Sequence, residues 1–307
     1  MIIDEILTKC DERQSRHICG NCDDCSYGSY CPGSCELCLD AIHNRRHAQD
    51  GAPYRKYDCV HMADFYTCKY SCRYTSEIIY ALDCLQDLAV LDNFKILSFG
   101  CGPCTDLFAI DYLHEHNRLT FNSLEYRGID YSEDVWKFVH NDIKRFETAS
   151  RKIRFFYDDV CDVIHDIAKG TWVPNLVVFQ YVFSDMNKHT EERKISDFID
   201  TFAQYFNEKV CQKTYIILND INLGVGYGGG REYFDRLSLK LNNVEIRRGR
   251  FCNDNGKGYY PRGFPYGEGS FGEYPHNRNF FDLSRWRRYS PFNTCASAQM
   301  LIKKVSP

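Results

Sequence analysis

The chain has 307 residues, 44% apolar and 15% aromatic, and carries a net charge of −4. That length and apolar share predict one medium domain with a sizeable core plus a small appendage, and the acidic balance excludes a protein that coats nucleic acid indiscriminately. No run approaches the roughly 20 apolar residues needed to cross a bilayer, so a membrane-spanning class is excluded and the cytoplasm is the expected location.

Nine cysteines fall between Cys19 and Cys72, ahead of an ordinary α/β pattern. The N-terminal stretch Met1 to Leu7 lacks a basic n-region and a small-residue cleavage site, which argues against an oxidising compartment and hence against disulfides. Two C-x2-C knuckles, Cys19/Cys22 and Cys35/Cys38, supply the four thiolates that enclose a tetrahedral zinc ion. Interleaved with them, Cys25, Cys31, His43 and His47 form a second candidate set, although His43 and His47 also read as solvated residues of a polar run. Cys59, His61, Cys68 and Cys72 form a third, because Cys68 and Cys72 lie one helical turn apart. An iron–sulfur cluster is the competing occupant. The triplet Cys31-x3-Cys35-x2-Cys38 also has the spacing of radical enzymes, but it follows a turn-like stretch rather than a barrel strand and is set aside.

Residues 62–91 read as mainly helical, with apolar residues at three- and four-residue spacings, and are expected to connect a cysteine-rich module over 1–61 to a domain over 92–307. That domain opens on a short apolar strand, Lys95 to Gly100, running into Gly100-Cys-Gly-Pro-Cys-Thr-Asp106 and a helix from about Thr105. Strands are expected at Tyr126–Asp130, Ile153–Tyr157, Leu176–Tyr181 and Thr214–Asn219, with helices between them from Ser132 and from Thr190. Strands alternating with helices predict a mostly parallel, doubly wound α/β sheet. Val244–Phe251 and Ala296–Lys304 have no crossover helix between them, so the sheet is expected to end in an antiparallel strand.

A strand that turns through Gly100-x-Gly102 into a helix lets a ligand approach the backbone and aims a helix N-terminus at a polar or anionic group. Asp130 ends the next strand, where a carboxylate accepts hydrogen bonds from ribose hydroxyls, and Asp158 and Asp159 end the third, where one accepts from an adenine amine. Ligands in open α/β sheets bind at these carboxyl ends. Through these residues the chain, from about Asp92 onward, resembles the class I, Rossmann-like methyltransferases that use S-adenosylmethionine. The resemblance matches their first motif to Leu97–Cys104, with Gly100, Cys101 and Gly102 at the cofactor, and their fourth to Val178–Asp185, with Gln180 facing the cofactor. It departs at Ser98, where an acid is usual, and at Cys104, where a third glycine is usual. An NAD-binding reading fits less well, because Asp130 lies farther beyond Gly102 than the usual spacing of about 20 residues.

Methyl transfer from a sulfonium is an in-line displacement in which positioning does much of the catalysis. Asp185 and His189 are the candidates for taking a proton. Val244 to Ser290 holds nine Arg or Lys against five Asp or Glu, with eleven aromatics. Within it Arg247, Arg248, Arg250, Arg285, Arg287 and Arg288 offer phosphate contacts, while Tyr259, Tyr260, Phe264 and Trp286 offer stacking faces. Residues 252–294 read as an inserted segment, and a loop packing its aromatics on the domain is the competing view. Together with the metal module it points to a macromolecular substrate, RNA or protein. The alternative is a noncatalytic zinc-containing nucleic-acid or protein-binding protein with a degenerate methyltransferase domain.

Overall fold

A computed structural model describes residues 1–19, 31–43, 57–85, 88, 90–210, 213–252, 266 and 273–305. Eight strands form one sheet in the order β3-β2-β1-β4-β5-β8-β6-β7. Strands β1 (Val90–Phe99), β2 (Thr120–Asp130), β3 (Arg151–Tyr157), β4 (Leu176–Gln180) and β5 (Tyr215–Ile221) run parallel. The strand β8 (Ser297–Lys304) lies antiparallel between β5 and β6 (Val244–Phe251), and the two-residue β7 (Glu273–Tyr274) pairs with β6. The expected α/β class and its antiparallel finish are thus present.

Burial explains which strands are central. Leu176 to Phe179 and Tyr215 to Asp220 are buried without a break, as in strands covered on both faces, whereas edge strand β3 alternates. Successive residues point to opposite faces. Ile96, Val178 and Ile217 join one apolar cluster, while their neighbours Leu97, Val177 and Ile216 join the other. The first cluster is closed by α1 (Ile2–Ser15), α3 (Val60–Asp83), α4 (Thr105–Glu115) and α5 (Glu133–Lys144). Helices α6 (Val160–Lys169), α7 (Val182–His189), α8 (Glu192–Lys209) and α9 (Arg231–Ser238) close the second.

The boundary expected at residue 61 does not divide the structure. Ile2, Ile3, Ile6 and Leu7 of α1 share the core of Leu107 and Phe108, and Arg13 donates to both Asp64 (2.7 Å) and Asp142 (2.6 Å). Of the cysteine-rich region, the short α2 (Cys35–His43) packs on α3 in a small cluster of its own. Nor is α3 a connector: it lies in the first face of the domain and reaches the carboxyl ends of the strands.

Its anchor is Glu77, which is fully buried. The carboxylate accepts from Arg73 Nε (3.0 Å), Tyr181 Oη (2.9 Å), Asn219 Nδ2 (3.0 Å) and the Ala296 N–H (3.1 Å). Four donors satisfy the charge and join α3 to the ends of β4 and β5 and the start of β8. Glu77→Ala leaves these donors and the Arg73 charge uncompensated, and should lower unfolding stability by about 3–5 kcal/mol, with Glu77→Gln losing less. Urea unfolding of the two variants checks this; a loss below about 1 kcal/mol for Glu77→Ala would show that the network does not anchor α3.

Candidate functional site

The site is built on the turn after β1. Gly100 has φ +58°, and a Cβ there would meet Val182 Cγ2 at 2.8 Å, so both conformation and space require glycine. Cys104, at the third glycine's place, also has φ +63° but carries a side chain, which packs fully buried. The turn is tied to β2 by Cys101 N–H donating to Ile129 O (2.9 Å) and by Gly102 N–H donating to Asp130 Oδ2 (2.8 Å). Beneath it His140 Nε2 donates to Gly102 O (2.7 Å), which makes Nδ1 the acceptor for Tyr157 Oη (3.0 Å). Burial pushes this imidazole down to about 3, so it stays neutral. Cys101, Cys104 and His140 lie together, but with both ring nitrogens engaged the arrangement is a packed support for the turn rather than a metal centre.

A cavity opens at the ends of β1 and β4, lined by Ser98, Gly100, Gly102, Thr105, Asp106 and Gln180 and roofed by Tyr66 and Tyr74 of α3. Gln180 holds the roof: its Oε1 accepts from Thr105 Oγ1 (2.5 Å), and its Nε2 donates to Tyr74 O (2.8 Å). Asp130 is raised to about 6 by burial, against the opposing N–H groups of Gly102, Ser132 and Tyr131. Asp106 is 2% exposed. Its Oδ1 accepts from Tyr126 Oη and the Leu107 N–H, both at 2.9 Å, whereas Oδ2 has no hydrogen-bond partner. Burial raises its pKa, opposed by the neighbouring Ser98 and Tyr126 hydroxyls.

The two acids after β3 separate in role. Asp159 caps α6, accepting from Cys161 N–H (2.9 Å), and pairs with Lys194 of α8 at 2.8 Å, which together lower its pKa despite partial burial. Its carboxylate is occupied within the fold, a correction to its expected place beside adenine. Asp158 is exposed and accepts only the local Asp159 N–H (2.8 Å) among the described hydrogen bonds. On α7, Asp185 Oδ1 stands 3.4 Å from His189 Nε2; desolvation pushes the Asp185 carboxyl upward against the pull of Lys188, but its side chain is 48% exposed, so solvent screens that push. Asp220 of β5 accepts the Ser184 N–H at 2.8 Å and so fixes the start of that helix.

Among the expected metal ligands, Cys22, Cys25 and His47 lie outside the described residues. His43 turns both ring nitrogens to tyrosine hydroxyls, Tyr57 at 2.8 Å and Tyr70 at 3.3 Å, which removes it from the second set. The third set is divided. Cys68 and Cys72 are buried in the core between α1 and α3, while Cys59 sits near Cys35, which burial and that neighbour push up to about 12. Cys38 is buried in the small cluster of α2.

In the basic segment Trp286 is 4% exposed, so it does not offer a stacking face, a second correction. It lies on the 3-10 helix Ser284–Tyr289, one face of which packs against α3. Arg288 pairs with Asp11 (2.6 Å), Arg248 with Asp235 (3.0 Å) and Arg250 with Glu273 (3.8 Å). Arg247, Arg285 and Arg287 are exposed. Tyr259, Tyr260 and Phe264 lie outside the described residues.

Asp106, His140, Asp220 and the tyrosine roof were not picked out from the sequence. Asp106 alone left a signal, as an acid in the first turn of the helix that follows the glycines.

No protein-family model matches the sequence, and no curated protein matches it. The solved structures to which it is similar include methyltransferases. The plantazolicin methyltransferase BpumL in complex with SAH aligns at 13% identity over 98% of this chain and 100% of that one, with a TM-score of 0.44. Human methyltransferase-like protein 13 in complex with SAH aligns at 12% over 77% and 83%, with a TM-score of 0.40. The precorrin-6y C5,15-methyltransferase of Geobacter metallireducens aligns at 12% over 73% and 86%, with a TM-score of 0.38. The reading of the site rests on its own residues.

The division of labour between the two strand-end acids is directly measurable. Asp159→Ala removes a cap and an inter-helix ion pair and should cost about 1–2 kcal/mol; Asp158→Ala should cost under about 0.5 kcal/mol. Thermal unfolding of both variants decides it, and equal losses would reverse the assignment.

Proposed function

We propose that the chain is an S-adenosylmethionine-dependent methyltransferase whose cofactor lies along the carboxyl ends of β1, β2 and β4. The observation that carries this reading is the cavity beside the glycine turn, lined by Asp106 with a buried carboxylate oxygen that has no hydrogen-bond partner; Asp130 stands next to it, on the N–H of Gly102. Asp130, which ends β2 beside the glycine turn and accepts the Gly102 N–H, would also accept the two ribose hydroxyls. Asp106 Oδ2 needs a cationic or N–H partner, because a buried polar atom left unpaired costs about 1–3 kcal/mol, and the α-ammonium of the cofactor's methionine half is such a partner. The acid missing from the strand at Ser98 would be replaced by Asp106 from the first turn of α4, with the Ser98 hydroxyl beside it. Asp158 is the exposed acid available to the adenine amine.

When bound, the cofactor supplies an electrophilic methyl group on a sulfonium. The residues of the chain then have to orient the acceptor, keep water out and take one proton. Tyr66 and Tyr74 cover the cavity. Asp185, paired with His189 on α7 and partly open to solvent, would receive the proton of the attacking group as a carboxylate. The acceptor is proposed to be a macromolecule, RNA or protein, approaching over the exposed Arg247, Arg285 and Arg287 and the cysteine-rich region.

Calorimetry with S-adenosylhomocysteine is the first test. Wild-type protein should bind it, and Asp130→Ala should weaken binding by about 1.5–3 kcal/mol, the range for hydrogen bonds to a charged acceptor. Asp106→Asn should weaken it by roughly tenfold while leaving affinity for 5′-methylthioadenosine, which lacks the amino-acid half, unchanged. Absence of wild-type binding would refute the cofactor reading.

A pH series supplies a second. The folded pKa of Asp130 lies above the ordinary carboxylate value, so the carboxylate gains a proton as pH falls through about 6 and loses acceptor strength. Affinity should therefore fall below pH 6 in the wild type and stay flat in Asp130→Asn. In single-turnover rates at saturating cofactor, where the Asp130 titration no longer limits binding, Asp185→Asn should abolish the acid limb; a limb that persists under saturation would exclude Asp185 as the base.

A further inference from the structure

We propose that the end of α1 and the start of α2 close on one zinc ion held by His17, Cys19, Cys31 and Cys35. His17 belongs to none of the ligand sets legible from cysteine spacing, and the set joins thiols that the spacing sorted apart. A ring nitrogen of His17 and the thiols of Cys19 and Cys35 all lie within 4.8 Å of one another. Cys31 Sγ stands 3.7 Å from Cys19 Sγ but not within that mutual spacing of all three atoms, so it would move inward to complete the four. In a tetrahedral site with zinc–sulfur bonds of about 2.3 Å, sulfurs are about 3.8 Å apart, so this pair already has the edge length of such a site.

A second observation points to a ligand independently of the thiols. His17 Nε2 is buried and has no hydrogen-bond partner, and His61 Nδ1 beside it is in the same condition. A buried imidazole nitrogen without a partner is costly, and a metal bond would remove the cost if this nitrogen is the one turned to the thiols. The two rings stack with centroids 3.5 Å apart and planes 10° apart, so His61 fixes the plane in which His17 presents its nitrogen. Outside the thiols, Gln14 Nε2 donates to Cys35 Sγ at 3.9 Å and to His61 O, the kind of outer support that holds ligands in orientation.

The donor set selects the ion. One imidazole and three thiolates suit a closed zinc site, whereas calcium and magnesium need oxygen. On binding, the three thiols release their protons to solvent and the imidazole binds neutral, so occupancy falls as pH falls. The ion would join the last turn of α1 to α2 and, through the His17–His61 stack, to the first turn of α3, whose Tyr66 and Tyr74 roof the cavity. This proposal does not depend on the cofactor reading.

Elemental analysis of the full chain, purified without chelator, tests it. The wild type should carry zinc, with one equivalent lost in His17→Ala and in Cys31→Ser and retained in Cys84→Ala, at the far end of α3. Zinc-edge X-ray absorption of the wild type needs no variant and should show a shell of one nitrogen and three sulfurs. Four sulfurs without nitrogen, zinc lost on Cys59→Ser but kept in Cys31→Ser, iron with sulfide, or a Cys19–Cys31 disulfide in metal-free protein would each overturn it.

Discussion

A carboxylate with no access to solvent lies at the junction of everything that defines the cavity. Glu77 is held by donors from its own helix, from the residue after β4, from β5 and from the start of β8, and each of these fixes something else. Tyr181, which gives it one hydrogen bond, stacks on Tyr74 at 4.2 Å. Asn219 Oδ1 accepts in turn from Ser297 Oγ at 2.6 Å and from Gln299 Nε2 at 2.8 Å, so the antiparallel strand is registered against the same charge. A charge buried this deeply is tolerated only when every acceptor site is filled. Filling them forces α3 across the strand ends, and the roof of the cavity follows.

Under that roof the glycine turn is held from three sides: by Asp130 on the backbone N–H of Gly102, by His140 on its carbonyl, and by the close approach of Val182 to Gly100. The turn is therefore rigid before any ligand arrives, which is the condition for backbone groups to orient one without a large ordering cost. The acids around it are differentiated by surroundings rather than by type. Asp130 is raised by burial, Asp159 is lowered by Lys194 and its cap, and Asp106 keeps an unpaired oxygen. Electrostatic environment has given similar carboxylates different states, some engaged within the fold and one left with an unpaired oxygen.

Much of this was legible in the residues. The alternation of apolar strands with helices, the glycines after β1 and the acid ending β2 are local signals, carried by stretches of ten residues or fewer, and they place the cavity at the correct end of the sheet. What was misread involved partners remote in sequence. Trp286 looked like a stacking platform because aromatics beside arginines do so when exposed; here it packs into the core that α1 and α3 share. His43 looked like a ligand from its neighbours in the chain, yet Tyr70, which takes one of its nitrogens, stands 27 residues away. The helix α1 was overlooked because its apolar face makes sense only once α4 is opposite it.

The sequence by itself determined the alternation of strands with helices, the antiparallel finish and the glycine turn after β1, because periodicity and Cβ sterics act within a few residues. Only the tertiary structure decided which acid is a cap and which is open to a ligand, and which cysteine stands beside which. Those outcomes depend on contacts such as Glu77 with Asn219, 142 residues apart. A carboxylate's role is set by the donors that burial brings to it, and those donors are chosen when the helices close on the sheet.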